Sequence, residues 1–198
     1  MTIETAKKVL DTIFFTSSIN VAIEFQGGES LLNWEVTKFF IEQARFKALH
    51  LKKTLVFQLV TNLVLMDDEK MKFLLDNDVQ ISTSLDGNEE THNYNRTYSK
   101  GNSFEKVTYW IKRINEEYKN RGIKRKIGAL LTPTKKTLSL YKEAIDTYVE
   151  LGLDSIFLRP LNPYGFAIPE LKTLGYSPEE YIDFFRKCLE YVLELNKK

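Results

Sequence analysis

The chain has 198 residues, 43% of them apolar and 28% charged, and its 28 basic and 27 acidic side chains leave a net charge of +1. That length suits one domain able to bury a core without disulfides or metal, and the balanced charge excludes a strong field for nucleic acid or an anionic membrane. No apolar run approaches the roughly 18 residues of a membrane span, Met1-Thr2-Ile3-Glu4 does not read as a signal peptide, and the single cysteine, Cys188, cannot form an internal disulfide, so the expected location is cytoplasmic.

In chain order, Ala6, Val9, Leu10 and Ile13 recur at helical spacing and predict an opening amphipathic helix. The apolar run Val21–Phe25 predicts a strand that leads into Gln26-Gly27-Gly28-Glu29. Two glycines there permit a tight turn and close approach of a ligand to bare backbone, and a carboxylate follows at once. Leu55–Val60 is the second predicted strand and ends at Thr61-Asn62; Asp67-Asp68-Glu69 then places acids where they favour a helix N-terminus. The third strand, Val79–Leu85, runs into Ser84-Leu85-Asp86-Gly87, with His92 and Arg96 a little beyond. Phe104, Val107, Ile111, Ile114 and Tyr118 form the next helical stripe, closed by Gly122. Lys124-Arg125-Lys126 reads as a solvated entry to a fourth strand, Lys126–Leu131, ending at Thr132-Pro133. A stripe of Tyr141, Ala144, Ile145, Tyr148 and Val149 precedes Gly152 and a fifth strand, Ser155–Leu158. Asn162 to Tyr176, with Pro163, Gly165, Pro169 and Gly175, reads as the longest loop; Ser177-Pro178-Glu179-Glu180 then starts a helix, with an N-cap, a proline at the first helical position and a glutamate three residues after the cap. Cys188, at helical spacing with Tyr181, Phe185 and Val192, reads as buried and apolar.

Several of the strands are too evenly apolar to be half-exposed and read as buried on both faces. Strict alternation with helices implies right-handed crossovers and a parallel α/β sheet. Ligands of such folds bind at the C-terminal ends of the strands, where the polar residues of this chain collect. The opening helix has no strand before it to return from, so the expectation is either a permuted domain or a missing first strand.

Phe25-Gln26-Gly27-Gly28-Glu29-Ser30-Leu31-Leu32 resembles the Gly-Gly-Glu segment of radical S-adenosylmethionine enzymes. Ser84-Leu85-Asp86-Gly87 with His92 and Arg96 is similar to the matching segment of their peptide-modifying branch, which includes sulfatase-maturating enzymes and ribosomal-peptide maturases. Thr61-Asn62 and Leu158-Arg159-Pro160-Leu161-Asn162-Pro163-Tyr164-Gly165-Phe166-Ala167 look most like the radical maturase of His-Xaa-Ser repeat systems. The resemblance covers nearly the whole chain and implies a partial parallel (β/α)6 TIM-like barrel lacking its first strand, with residues 1–198 as an incomplete core domain. It also implies S-adenosylmethionine as cofactor and a peptide or protein substrate. In that family the cofactor yields a 5′-deoxyadenosyl radical that takes a hydrogen atom from the peptide. By the same resemblance Gln26, Gly27, Gly28, Glu29 and Asn62 lie at the cofactor, with Glu29 and the glycine carbonyls receiving its ammonium. Ser84, Asp86 and Arg96 also lie there, with Ser84 and Arg96 receiving its carboxylate, which suits the planar fork of arginine. The adenine is placed near Leu161 and Asn162.

The chain departs from the family at one point. Members bind a [4Fe–4S] cluster through a Cys-x3-Cys-x2-Cys loop after the first strand, and one cysteine cannot imitate it. The expectation is therefore no metal ligands and no turnover by this chain alone, as from a truncated gene or misplaced start, with the missing N-terminal segment supplied in trans as one option. A non-catalytic peptide-binding module on such a barrel is the alternative, and a barrel enzyme acting on phosphorylated metabolites ranks last. Simpler roles stay open beside these. Gly27-Gly28-Glu29 and Asp86-Gly87 can be ordinary turns, His92 a satisfied loop histidine, and Arg159 a brace; His50 at a helix end is given no other role.

Overall fold

The strands β1 (Asn20–Phe25), β2 (Thr54–Thr61), β3 (Val79–Ser84), β4 (Gly128–Leu131) and β5 (Phe157–Leu158) are hydrogen-bonded in the order β1-β2-β3-β4-β5 in the computed structural model of the chain, which describes residues 1–99, 101–164 and 167–197. The pairs β1–β2 and β4–β5 are parallel, with Val21 opposite Leu55 and Leu131 opposite Leu158. Each strand lies next to its predecessor after a helical connection, the topology of a (β/α)-barrel wall with fewer strands than the eight that close one. The α/β class and the partial-barrel arrangement are those expected. The chain forms two compact units, Met1–Ser82 and Thr83–Lys198.

The first unit contains α1 (Ile3–Phe14), a 3-10 turn at Ser30–Asn33, α2 (Trp34–His50) and α3 (Asp68–Asp76). Thr2 caps α1 by accepting from the Thr5 amide. The inward line of α1 is Ala6, Leu10 and Phe14, while Val9 is 36% exposed. These residues join Val21, Ile23, Phe40, Ile41, Ala44, Phe57, Leu59 and Leu74 in the core. Asp67 caps α3 through the Lys70 amide, as its acidic start implied. The strands are not buried on both faces as expected. β1 alternates, and Ala22 is exposed opposite Val56, itself 38% exposed. In a barrel that second face is filled by side chains from the other strands, and five strands supply too few to cover it.

The second unit contains α4 (Glu89–Asn95), α5 (Ser103–Asn120), α6 (Tyr141–Glu150), α7 (Ala167–Leu174) and α8 (Pro178–Leu195). Val107, Ile111, Ile114, Tyr118, Ile127, Leu131, Ala144, Ile145, Tyr148, Phe184 and Cys188 are buried. Gly122 (φ +71°) and Gly152 (φ +66°) end α5 and α6 in the left-handed conformation that glycine adopts freely. The capping box of Ser177 and Glu180 starts α8. That helix buries Phe184 and Cys188 and leaves Ile182, Phe185, Leu189 and Leu193 exposed.

Two local expectations are corrected here. Asn162 to Tyr176 is not loop throughout, because α7 occupies Ala167–Leu174; Pro169 is tolerated there since the first four amides of a helix have no intrahelical acceptor. Gly165, within that segment, and Phe166 lie outside the described residues. Arg125 is not simply solvated, for its guanidinium sits 5.2 Å from the centre of the Tyr118 ring. No described helix is long and apolar enough to cross a membrane.

Candidate functional site

Past the end of β1, Gln26, Gly27 and Gly28 are exposed and Glu29 is half-buried. A Cβ added at Gly27 or Gly28 would meet no heavy atom within 4 Å, so both stand against open space. The Gln26 side chain donates to Glu24 at 2.5 Å. Glu29 caps the 3-10 turn. Its Oε1 accepts from the Leu31 amide at 3.0 Å and the Thr61 hydroxyl at 2.6 Å, and its Oε2 accepts from the Asn62 amide at 2.8 Å. The Ser30 hydroxyl lies within bonding distance of the Phe25 and Val60 carbonyls, which ties the turn to both strands.

The loop after β2 is shaped by the same residues. Thr61 Oγ1 accepts from the Leu63 amide and Asn62 Oδ1 from the Val64 amide, each at 3.0 Å. These bonds hold the fully buried Leu63 at φ +59°, a left-handed conformation that costs an L residue roughly 1–2 kcal/mol. Backbone strain of this kind gathers at binding sites. Three neutral donors thus orient the Glu29 carboxylate, and among the described residues no cation pairs with it. A carboxylate offers about four acceptor positions, so one remains for an incoming donor.

In the second unit, Leu85 and Asp86, just after β3, have every polar group engaged. Leu85 donates its amide to the Leu130 carbonyl at 2.9 Å and accepts at its own carbonyl from the Tyr148 hydroxyl at 2.7 Å. Burial, reinforced by the nearby Asp86 charge, raises the Tyr148 phenol well above its ordinary 10, so it stays a donor. Asp86 is buried. Its Oδ2 accepts from Arg96 Nε at 2.7 Å and its Oδ1 from Arg96 Nη2 at 3.2 Å and the Thr132 amide at 3.0 Å, with Asn95 Nδ2 at 3.4 Å from Oδ2. The Asp86 carbonyl accepts from the Thr91 hydroxyl at 3.1 Å. Gly87 sits at φ +111°, and a Cβ there would come within 2.7 Å of Thr91 Oγ1 and 3.2 Å of Ala144 Cβ, so this turn requires glycine.

Arg96 shows 32% of its side chain to solvent against 2% for Asp86. Its Nε edge is spent on Asp86, while the Nη1 end of the guanidinium has no partner among the described residues. Ser84, half-buried, likewise has no side-chain partner among them. His92 is fully buried; its Nδ1 accepts from the Asp86 amide at 3.3 Å and its Nε2 is unpaired. Burial pushes the imidazole down to about 4 from 6.5, opposed by the Asp86 charge and reinforced by Arg96, so it is neutral at pH 7. Beyond β5, the Leu161 amide donates to the Tyr176 hydroxyl at 2.7 Å, and the exposed Asn162 accepts at its carbonyl from Tyr164 at 2.8 Å.

Several of these supports lie outside the candidate site residues. Thr91, Asn95, Thr132 and Tyr148 all serve Leu85 or Asp86. The polar strand end at Thr132 was a signal; Tyr148 sits on an apolar helix stripe and gave none. Among the described residues no cluster of three or more His, Cys, Asp or Glu could hold a metal ion. Burial raises the Cys188 thiol to about 12, which disfavours the thiolate that iron needs.

No protein-family model matches the chain, and no curated protein matches it. Solved structures do. The chain is similar to native anSMEcpe with bound AdoMet, at TM-score 0.80 and 24% identity, over 100% of this chain and 53% of that one. It is also similar to native anSMEcpe with bound AdoMet and Cp18Cys peptide, at TM-score 0.78 and 25% identity, over 96% and 52%. The form with AdoMet and Kp18Cys peptide matches at TM-score 0.79 and 22% identity, over 96% and 51%. Those structures are of an anaerobic sulfatase-maturating enzyme, a radical S-adenosylmethionine enzyme. The likeness establishes the fold, and the chain spans about half the length of the structures it matches.

Proposed function

We propose that this chain is the S-adenosylmethionine-binding part of a radical maturase that modifies a peptide, and that by itself it binds the cofactor without cleaving it. One observation carries the reading: a half-buried Glu29 carboxylate, oriented by three neutral donors and paired with no cation among the described residues, stands next to the open backbone of Gly27 and Gly28. A compact primary ammonium fits that arrangement. It brings the positive charge Glu29 lacks and further N–H donors for glycine carbonyls.

In this reading Gln26, Gly27, Gly28 and Glu29 hold the ammonium, and Asn62 orients Glu29 through its amide. Ser84 and the free end of Arg96 donate to the carboxylate, with Asp86 fixing Arg96 from behind. Leu161 and Asn162 present backbone to the adenine; the Leu161 amide is already engaged by Tyr176, which leaves its carbonyl as the open group. When bound, the cofactor supplies a carbon–sulfur bond that one-electron reduction cleaves. The iron–sulfur cluster that performs the reduction in this family does not fit the residues present. It needs three thiolates, and the chain has one cysteine, buried and held as a thiol.

Calorimetric titration of the full chain with S-adenosylmethionine tests the assignment. Binding is expected, and Glu29→Gln should weaken it by roughly tenfold or more, the worth of a charge-assisted hydrogen bond. Equal affinity in both proteins, or none in either, would overturn it. A second reading, a peptide-binding module, rests on β1, which lies at one end of the strand order and, among the described strands, pairs with β2 alone. Such an edge accepts an added strand, and a peptide that binds with unchanged affinity in Glu29→Gln would favour it.

A further inference from the structure

We propose that His92 is a positioning residue: its Nδ1 accepts the Asp86 amide hydrogen and thereby fixes the carboxylate that aims Arg96 at an anionic ligand. The geometry runs in sequence. His92 has no exposed surface, so it touches no ligand itself. Its ring packs against Phe104, with centroids 5.9 Å apart. Nδ1 faces the Asp86 N–H at 3.3 Å, so the proton of the ring must sit on Nε2. The Nε2–H then points at no acceptor among the described residues.

An unpaired buried donor is costly, and a leucine or phenylalanine would avoid it while filling the same space. What an apolar side chain cannot do is accept the Asp86 amide. That amide belongs to a residue whose other polar atoms are all committed: the carbonyl to Thr91 and the carboxylate to Arg96, Thr132 and Asn95. His92 completes the set. With it in place every polar atom of Asp86 is held, and the Arg96 fork that it grips leaves Nη1 for another partner. Protonation would set an Nδ1–H against the Asp86 N–H, two donors face to face, and would release the loop.

This deepens the functional reading, on which it rests only in identifying the anion as the cofactor's carboxylate. The test uses the full 15N-labelled chain. At pH 7 the imidazole of His92 should be the Nε2–H tautomer with Nδ1 unprotonated, and the Arg96 Nε–H and Asp86 amide should exchange slowly. His92→Asn places an oxygen near the Nδ1 position and should retain both protected signals, with S-adenosylmethionine affinity within about threefold of the parent. His92→Leu keeps the volume and removes the acceptor. It should speed Asp86 amide exchange by about tenfold, broaden the Arg96 Nε–H and weaken the cofactor by about tenfold, the factor expected for one lost hydrogen bond. A merely structural histidine would not be rescued by asparagine. An Nδ1–H tautomer, readable in the unsubstituted chain even if His92→Leu fails to fold, overturns the proposal. So does a folded His92→Leu with Arg96 and Asp86 still protected. If the parent chain binds no S-adenosylmethionine, the functional reading falls, and the tautomer and exchange readouts decide the part of His92 alone.

Discussion

Glu29 in the first unit and Asp86 in the second are both carboxylates placed just past a β-strand, and the fold treats them in opposite ways. Asp86 is buried and gripped on two edges by Arg96, so its charge is cancelled within the chain. Glu29 is half-buried and, among the described residues, bonded by neutral donors only, so its charge is oriented and left over. A buried carboxylate with its own arginine holds a loop together. One with amides and a hydroxyl is held in place with its charge unmatched, which is why we propose it as the ammonium site. Proximity to a strand end does not separate these roles; the charge of the neighbours does.

The contrast can be broken most forcefully at Asp86. Asp86→Asn leaves Arg96 beside a neutral partner and should cost about 3 kcal/mol or more of unfolding free energy, measured by urea denaturation. Glu29→Gln turns an amide NH2 toward one of the donors that Glu29 accepts and should cost about 1–2 kcal/mol, less than Asp86→Asn, while losing ligand affinity. Equal stability losses in the two variants would erase the distinction.

The pH profile sharpens it next. His92 has a folded pKa of about 4, below its ordinary 6.5 because of burial. The unfolded chain therefore binds more protons between these values, and stability rises with pH across that window. The contribution is fully present above pH 6.5 and lost as pH falls through about 4. It amounts to about 3 kcal/mol, from a displacement of about 2.5 pH units. Denaturant midpoints taken from pH 4 to 7 should show the slope, and His92→Asn should flatten it. A smaller effect is expected at Gly87, where alanine meets both a left-handed backbone and the Thr91 hydroxyl. Gly87→Ala should cost roughly 2 kcal/mol, read as a lower melting temperature.

Much of the fold was legible because its signals are local. Apolar runs ending in polar residues marked all five strands, and Gly122, Gly152 and the Ser177 capping box marked helix ends. α7 was hidden because Pro169 and Gly175 read as loop residues, although a proline fits a first helical turn; Gly175 closes the helix on the Leu171 carbonyl at 2.8 Å. Within the candidate site, the turn at Gly27-Gly28-Glu29 was legible from its spacing. The Asp86–Arg96 pair was not, since ten residues separate them and nothing in the order of letters says which edge of a guanidinium is already taken. Tyr148 was hidden for a related reason: its ring obeys the helix period, while its hydroxyl serves a carbonyl 63 residues earlier.

The emptiness around Gly27 and Gly28 gives this protein a built-in reporter. A methyl group grafted onto either residue meets nothing within 4 Å among the described residues, so the apo form should melt as before. Whatever such a methyl excludes must arrive from outside, and the size of the guests that are turned away would gauge how near they come to the peptide plane.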